Sequence, residues 1–159
     1  MIDFLGYNIQ YGSYQVIQRS LDFINNFPDE ILDITQLQRF LGSLNYVSKF
    51  LHHCAQERKL LNKRLQKDPI PWNEDCINAV KKIKDRIHKI QPLCLIQEQW
   101  KKVIMTDASN IGWGAVLCQE DPEKKNSLEI CQYAYGLWST SQENWASLKK
   151  ELRTVCLGI

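Results

Sequence analysis

The stretch KKVIMTDASNIGWGAVLCQ, residues 101–119, decides how the C-terminal part of this chain folds. The apolar run Val103-Ile104-Met105 ends on Thr106 and Asp107. A short turn follows near Ser109-Asn110, then a glycine-spaced apolar run. Two such runs across a short turn read as paired strands over 103–107 and 113–119. Side chains alternate along a strand, so Val103, Met105 and Asp107 share one side. A carboxylate thus continues a face that starts apolar. An aspartate ending a strand is usually a turn residue, but here it is also a candidate ligand. Gly112 and Gly114 strengthen that reading, because strand glycines mark close approach by another backbone or a ligand. A third run, 128–135, lies beyond the polar loop EDPEKKNS and completes an antiparallel meander.

A helix is expected after the meander. Thr140 with Glu143 matches a capping box. Trp145, Leu148, Leu152, Val155, Cys156 and Ile159 make the apolar stripe expected to be buried. Glu151 stands at the border of that stripe. If helix and strand pack together, Asp107 and Glu151 converge at one rim. Converging carboxylates repel and lose hydration. A hard divalent cation such as Mg²⁺ relieves that cost. Two such ions about 4 Å apart can activate water and stabilise the leaving oxygen of a phosphodiester. The plainer reading is a turn aspartate and a solvated glutamate.

Upstream, the pattern is helical. DITQLQRFLGSLNYVSKFLHHC carries Leu37, Phe40, Leu41, Leu44, Val47 and Leu51 on one stripe, with Asp33 or Thr35 as cap. QERKLLNKRLQKD continues as a basic amphipathic helix and stops before Pro69. A further helix runs from Asn73, its cap, towards Pro92, with Cys76, Ile77, Val80, Ile83, Ile87 and Ile90 inward. The first 34 residues read as a hairpin about Tyr11-Gly12-Ser13 and a helix ended by Pro28.

Charge is uneven. Residues 35–102 hold 14 Lys/Arg against 6 Asp/Glu, a local +8 between two acidic ends. Such a middle fits a polyanion or a solvated lysine face equally. No apolar run approaches a membrane span, and the N-terminus lacks the pattern of a signal peptide. Six scattered cysteines without a CxxC pair read as reduced thiols of a cytoplasmic or nuclear protein. The run His52-His53-Cys54 has no second ligand pair, which argues against zinc.

These segments together resemble a family. TDAS followed by GWGAVL is similar to the opening strands of the ribonuclease H domain of reverse transcriptases. The likeness is to plant pararetroviruses of the caulimovirus type, then to gypsy-class LTR retrotransposons. DFLGYNI resembles the hairpin ending their polymerase palm. FPDEILDITQLQRFLGSLNYVSKFL resembles their thumb, PIPWNEDCINAVKKIKDRI the helix beyond it, and ICQYAYGLWSTSQENWASLKKELRTV the third strand and first helix of ribonuclease H. The resemblance implies an α+β chain: a mostly helical thumb and connecting region, then a truncated ribonuclease H-like α/β fold of a three-stranded antiparallel meander plus helix. It divides the chain into a palm-end hairpin and lead-in (1–34), the helical region (35–102) and the N-terminal half of the ribonuclease H-like domain (103–159).

The resemblance also implies roles. Asp107 and Glu151 match the first two acids that hold Mg²⁺ or Mn²⁺ in a two-metal site cutting the RNA strand of an RNA–DNA hybrid. Arg39, Lys49, Lys63, Arg64, Lys81 and Lys82 fit a thumb that tracks a template–primer duplex, and Ser109 resembles the small residue after the first aspartate. The implied partners are that duplex and the remainder of a polyprotein. There are departures. The family's later acids and its polymerase aspartates have no counterpart in these residues. Lys149 stands where an acid is common, and Trp145 where a tyrosine is. The expected reading is a reverse transcriptase fragment with little or no activity alone; the alternative is an inactive viral remnant or a nucleic-acid-binding module. The unpaired side of strand 103–107 is expected to be a free sheet edge.

Overall fold

The computed structural model describes residues 2–52, 54–124 and 127–158. β1 (Ile2–Phe4), β2 (Tyr7–Gln10) and β3 (Ser13–Val16) form an antiparallel ribbon, extended by β4 (Leu93–Cys94) into the sheet order β1-β2-β3-β4. Both hairpins turn on two residues with positive φ: Leu5 (47°) with Gly6 (81°), and Tyr11 (48°) with Gly12 (76°). Such turns match the right-handed twist of the strands they join. At Gly6 the side chain of Tyr46 fills the space a Cβ would need. Tyr46 stacks on Tyr7 at 5.0 Å, and its hydroxyl donates to the Leu5 carbonyl at 3.1 Å. Gly6→Ala combines left-handed strain with displacement of that ring. It is expected to cost about 2 kcal/mol in urea unfolding, while Gly12→Ala, in open space, costs less.

The helices follow as α1 (Gln18–Asn25), α2 (Ile34–Val47), α3 (Ala55–Asn62) and α4 (Glu74–His88), with 3-10 turns at Ser48–Phe50 and Lys63–Leu65. The Asp33 carboxylate caps α2 by accepting from the Gln36 N–H at 2.6 Å. Asn73 caps α4 by accepting from the Cys76 N–H at 3.1 Å. The predicted α2 stripe is buried, including Phe40 and Leu44 at 0% exposure. In α4, Ala79 replaces the expected Ile77 in the core, and Ile77 and Ile90 are half-buried. The basic segment is a separate helix because the 3-10 turn at Ser48–Phe50 redirects the chain first.

The second sheet is β5 (Lys102–Ala108), β6 (Gly112–Glu120) and β7 (Leu128–Leu137), antiparallel in that order, as the spacing predicts. Its register aligns Asp107 with Gly114 and Gly114 with Tyr135. A bulge interrupts the β6–β7 ladder at Leu117/Cys118. Among the described residues β5 pairs only with β6. The main core is the helical region with β3 and β4, and β7 leans on it through Ile130, Tyr133 and Tyr135.

The final helix departs from the sequence reading. It is broken into α5 (Thr140–Glu143) and α6 (Ser147–Gly158). The capping box lies one residue earlier than expected, between Ser139 and Gln142. The expected apolar stripe is not buried: Leu148 is 73% exposed, Leu152 60% and Val155 45%. Instead Lys150, Thr154 and Gly158 face the sheet. Small side chains allow close packing there. Lys150 lays its aliphatic stem inward and carries its ammonium out to the Asn110 carbonyl at 3.5 Å. No helix among the described residues is long and apolar enough to cross a membrane.

Candidate functional site

The two faces of the β5–β7 sheet have different neighbours. Ile104, Thr106 and Ala115 lie on one face, and Gly158 of α6 sits against all three. Asp107 lies on the other by alternation, with Gly114 and Tyr135 beside it in register. That face borders a groove of about 630 Å³ between the sheet and α3–α4, lined by Asp107, His52, Arg86, Gly114, Tyr133 and Tyr135. A Cβ at Gly114 would meet nothing within 4 Å, so the glycine keeps the floor beside Asp107 open. At Gly112 a Cβ would strike the Gly136 carbonyl across the ladder. The two glycines therefore serve different ends: one clears the groove, the other allows close strand packing.

Glu151 is exposed on α6, next to the buried Lys150. The bond from Lys150 to Asn110 brings this part of α6 to the turn that follows Asp107. The two carboxylates thus stand near the same end of β5 but start from opposite faces of the sheet. Any approach between them runs around the strand end, not across a shared buried face. Both are exposed, and among the described residues neither makes a hydrogen bond or ion pair. Their oxygens are the donor type that Mg²⁺ or Mn²⁺ prefers. Yet among the described residues no three His, Cys, Asp or Glu side chains group to hold a metal ion. The donor chemistry fits a hard cation; the set is short of a full site. His53 of the HHC run lies outside the described residues.

The basic residues do not all remain available. Arg39, Lys49, Lys63, Lys81 and Lys82 are exposed. Arg64 is half-buried, and its guanidinium donates to the Ile70 carbonyl. Ser109 is committed to its turn: its Oγ donates to the Gly112 carbonyl at 3.0 Å and accepts from the Gly112 N–H at 3.2 Å.

Several residues outside the sequence reading hold the sheet to the helices. Arg58 donates to the Asn45 side chain at 2.5 Å and to the Tyr135 hydroxyl at 3.3 Å. Lys59 of α3 pairs with Glu143 of α5. The Tyr14 hydroxyl donates to the Cys131 carbonyl at 2.8 Å. Arg86 pairs with the nearly buried Glu57 at 2.9 Å. The bond to Glu57 raises the Arg86 pKa, against burial, which lowers it. Burial pushes the Tyr135 hydroxyl above its usual range, and Arg58 partly offsets this. These are long-range pairs between segments far apart in sequence, and only the Arg/Glu composition of α3 and α4 hinted at them.

Comparisons with known proteins bear on the family and the fold. Residues 72–159 match the family described as "RNase H-like domain found in reverse transcriptase", which takes in α4 as well as the second sheet. The chain is 37% identical over 158 residues to the enzymatic polyprotein of Cauliflower mosaic virus (strain Strasbourg), covering 97% of this chain and 23% of that protein. It is 38% identical over 156 residues to the enzymatic polyprotein of Carnation etched ring virus, with the same coverage. It is 33% identical over 158 residues to the genome polyprotein of Petunia vein clearing virus (isolate Shepherd), covering 99% of this chain and 7% of that protein. Among solved structures, the foamy viral protease-reverse transcriptase in complex with dsDNA aligns with a TM-score of 0.83 at 18% identity, over 98% of this chain and 32% of that one. The same enzyme in complex with an RNA/DNA hybrid aligns with a TM-score of 0.81, over 98% and 21%. That likeness concerns the fold. With the family match spanning more than half of its residues and pararetroviral polyproteins aligned along nearly its whole length, the chain belongs to the RNase H-like domain family of reverse transcriptases.

Proposed function

We propose that the chain is the thumb, connecting and N-terminal ribonuclease H-like region of a pararetroviral reverse transcriptase. Its division is hairpin and lead-in (1–34), helical region (35–102) and ribonuclease H-like half (103–159). In a protein of the relatives' full length, its part is to bind an RNA–DNA hybrid or template–primer duplex and to supply two acids for hydrolysis of the RNA strand. The observation that carries this is the pair of exposed, unpartnered carboxylates, Asp107 and Glu151, near one end of β5 in a family-matched sheet. A divalent metal, once bound, supplies the Lewis acid that activates water. This chain's residues contribute oxygen donors, the open floor at Gly114 and, from the helices, cations for phosphate contact.

The incomplete donor set favours binding without cutting for these residues alone. Catalytic groups that act as a unit lose most activity when members are missing. The chain is expected to leave a labelled RNA–DNA hybrid intact in Mg²⁺ or Mn²⁺, while a longer protein including the relatives' further sequence cuts it and loses that activity on Asp107→Asn. Robust cleavage by the chain alone, abolished by Asp107→Asn, is the result that overturns the inactive reading. Hybrid binding by the chain that is unchanged by Asp107→Asn and Glu151→Gln, together with no cleavage by the longer protein, favours the remnant or binding-module reading.

A further inference from the structure

The side of β7 turned away from β6 plays no part in the function proposed above. The phase of its hydrogen bonds is fixed at one end. The Trp138 N–H donates to the Ile111 carbonyl at 3.1 Å, and the ladder runs on with Leu137 opposite Gly112 and Tyr135 opposite Gly114. Backbone groups alternate sides along an antiparallel strand, so Ala134 and Gly136 bond to β6. The N–H and C=O groups of Tyr133, Tyr135 and Leu137 therefore point away from it. The Cys131 carbonyl continues that outward series, and the Tyr14 hydroxyl meets it at 2.8 Å. β4 lies beside β7 as well. Further along, the outward backbone groups of Tyr133, Tyr135 and Leu137 find no hydrogen-bond partner among the described residues.

These groups border a groove of about 470 Å³, walled by Asn45, Lys49, Arg58 and Asn62. Among the described residues no acidic side chain lines it. Nearby cations hold carboxylates: Lys59 pairs with Glu143 and Arg86 with Glu57. Lys49 and Arg58 pair with none among the described residues. The Arg58 guanidinium is half-buried and donates only to neutral acceptors, the Asn45 side chain at 2.5 Å and the Tyr135 hydroxyl at 3.3 Å. A guanidinium in that position gains more from a carboxylate than from a neutral oxygen.

We propose that this groove takes an extended acidic peptide segment, which adds as a strand against Tyr133–Leu137. The backbone selects a peptide. The outward groups alternate donor and acceptor, and a peptide main chain answers both. A phosphodiester strand offers acceptors alone, so it would leave the outward carbonyls of Tyr133, Tyr135 and Leu137 unanswered. Charge selects the side chains. Arg58 reaches the Tyr135 side chain, which shares the Asp107 face of the sheet in register. Side chains of the added strand alternate between faces, so an acid at every second residue meets Arg58, with Lys49 at the rim. The walls of the site are this chain's own α2, α3 and 3-10 turn. The inference rests on the β7 edge and stands independently of the nuclease reading.

The test uses the full chain and a fluorescein-labelled seven-residue peptide of alternating glutamate and threonine. Fluorescence anisotropy is expected to show saturable binding, and amide hydrogen exchange is expected to slow at Tyr133, Tyr135 and Leu137. A peptide methylated at its backbone nitrogens keeps its charge and loses its donors; it is expected to bind about tenfold more weakly or worse. A peptide with lysine in place of glutamate is expected to lose a similar amount, and Lys49→Glu to weaken the glutamate peptide about fivefold. The two altered peptides leave the protein unchanged, so they do not depend on a variant folding. Absence of saturable binding overturns the proposal. So does a methylated or lysine peptide that binds as well as the parent, a Lys49→Glu variant that binds it unchanged, or protection confined to other amides. Single-stranded DNA that displaces the peptide and protects the same three amides would make the groove a path for a nucleic-acid strand, and that too overturns the peptide assignment.

Discussion

Raising monovalent salt from about 50 to about 200 mM is expected to weaken binding of this chain to an RNA–DNA hybrid roughly a hundredfold. The residues set the size of the effect. Residues 35–102 carry a net +8, but not every cation there is free to meet a phosphate. Lys84 bonds to the Phe27 carbonyl and pairs with Asp29, Arg86 pairs with Glu57, Arg64 serves Ile70, and Lys102 bonds to the carbonyls of Gln97, Glu98 and Trp100. Arg39, Lys49, Lys63, Lys81 and Lys82 remain exposed. About four phosphate contacts from that group release about four counterions, and the fourfold salt change then gives the stated loss. Fluorescence anisotropy with a labelled hybrid over a salt series measures the slope. Lys81→Ala with Lys82→Ala is expected to reduce that slope by about two, if both touch phosphate. Arg64→Ala is expected to leave the slope alone and to lower stability instead, because it strands the Ile70 carbonyl. A flat salt dependence, or a slope set by Arg64, would show that the basic middle is a solvated face and not a binding surface.

That distinction marks where the sequence was informative. Hydrophobic spacing located α2, α4 and the three strands of the second sheet; α2 and α4 have their apolar faces covered within the chain, while β5 buries no residue fully. It also placed Asp107 correctly on the Met105 side of β5. The same rule misled at α6. Periodicity shows which face of a helix wants cover, not whether cover is present. Leu148, Leu152 and Val155 form a proper stripe, yet the sheet takes the opposite line of Lys150, Thr154 and Gly158. Small residues allow the close approach, and no hydrophobic count detects that. The packing of α6 also bears on the site. α6 covers the Thr106 face of β5, so Glu151 reaches the strand end from the face opposite Asp107. The polar roles of Arg58, Arg64, Arg86 and Ser109 were hidden for another reason. They depend on partners far away in sequence, and a charge count treats a committed guanidinium and a free one alike.

Phe40→Ala is expected to destabilise the chain by about 3–5 kcal/mol and to unfold the second sheet together with the helices. Phe40 is fully buried in α2 and packs edge-on against Phe27 at 5.4 Å. Its removal leaves a cavity beside Phe27 in the helical core. The wider effect follows from where apolar material lies. Within the second sheet and its helices the buried apolar side chains are Ala115, Cys118, Cys131 and Trp138, beside the polar Gln119, Asp121, Lys150 and Thr154. Four such side chains, two of them thiols and one an alanine, offer little burial against the entropy of ordering that segment. The sheet depends on the helical core through Ile130, Tyr133 and Tyr135, and on the bonds from Arg58 and Tyr14. Urea unfolding followed by far-ultraviolet circular dichroism reports the helices. Replacing every tryptophan except Trp138 lets fluorescence report the sheet, since that indole is buried and donates to the Ser109 carbonyl at 2.9 Å. The two transitions should coincide, and Phe40→Ala should move both to lower urea by the same amount. A Trp138 transition that stays in place while the helical one moves would mean that the sheet carries its own stability. Asp107 would then stand on an independent scaffold, not on one held in place by the helices behind it.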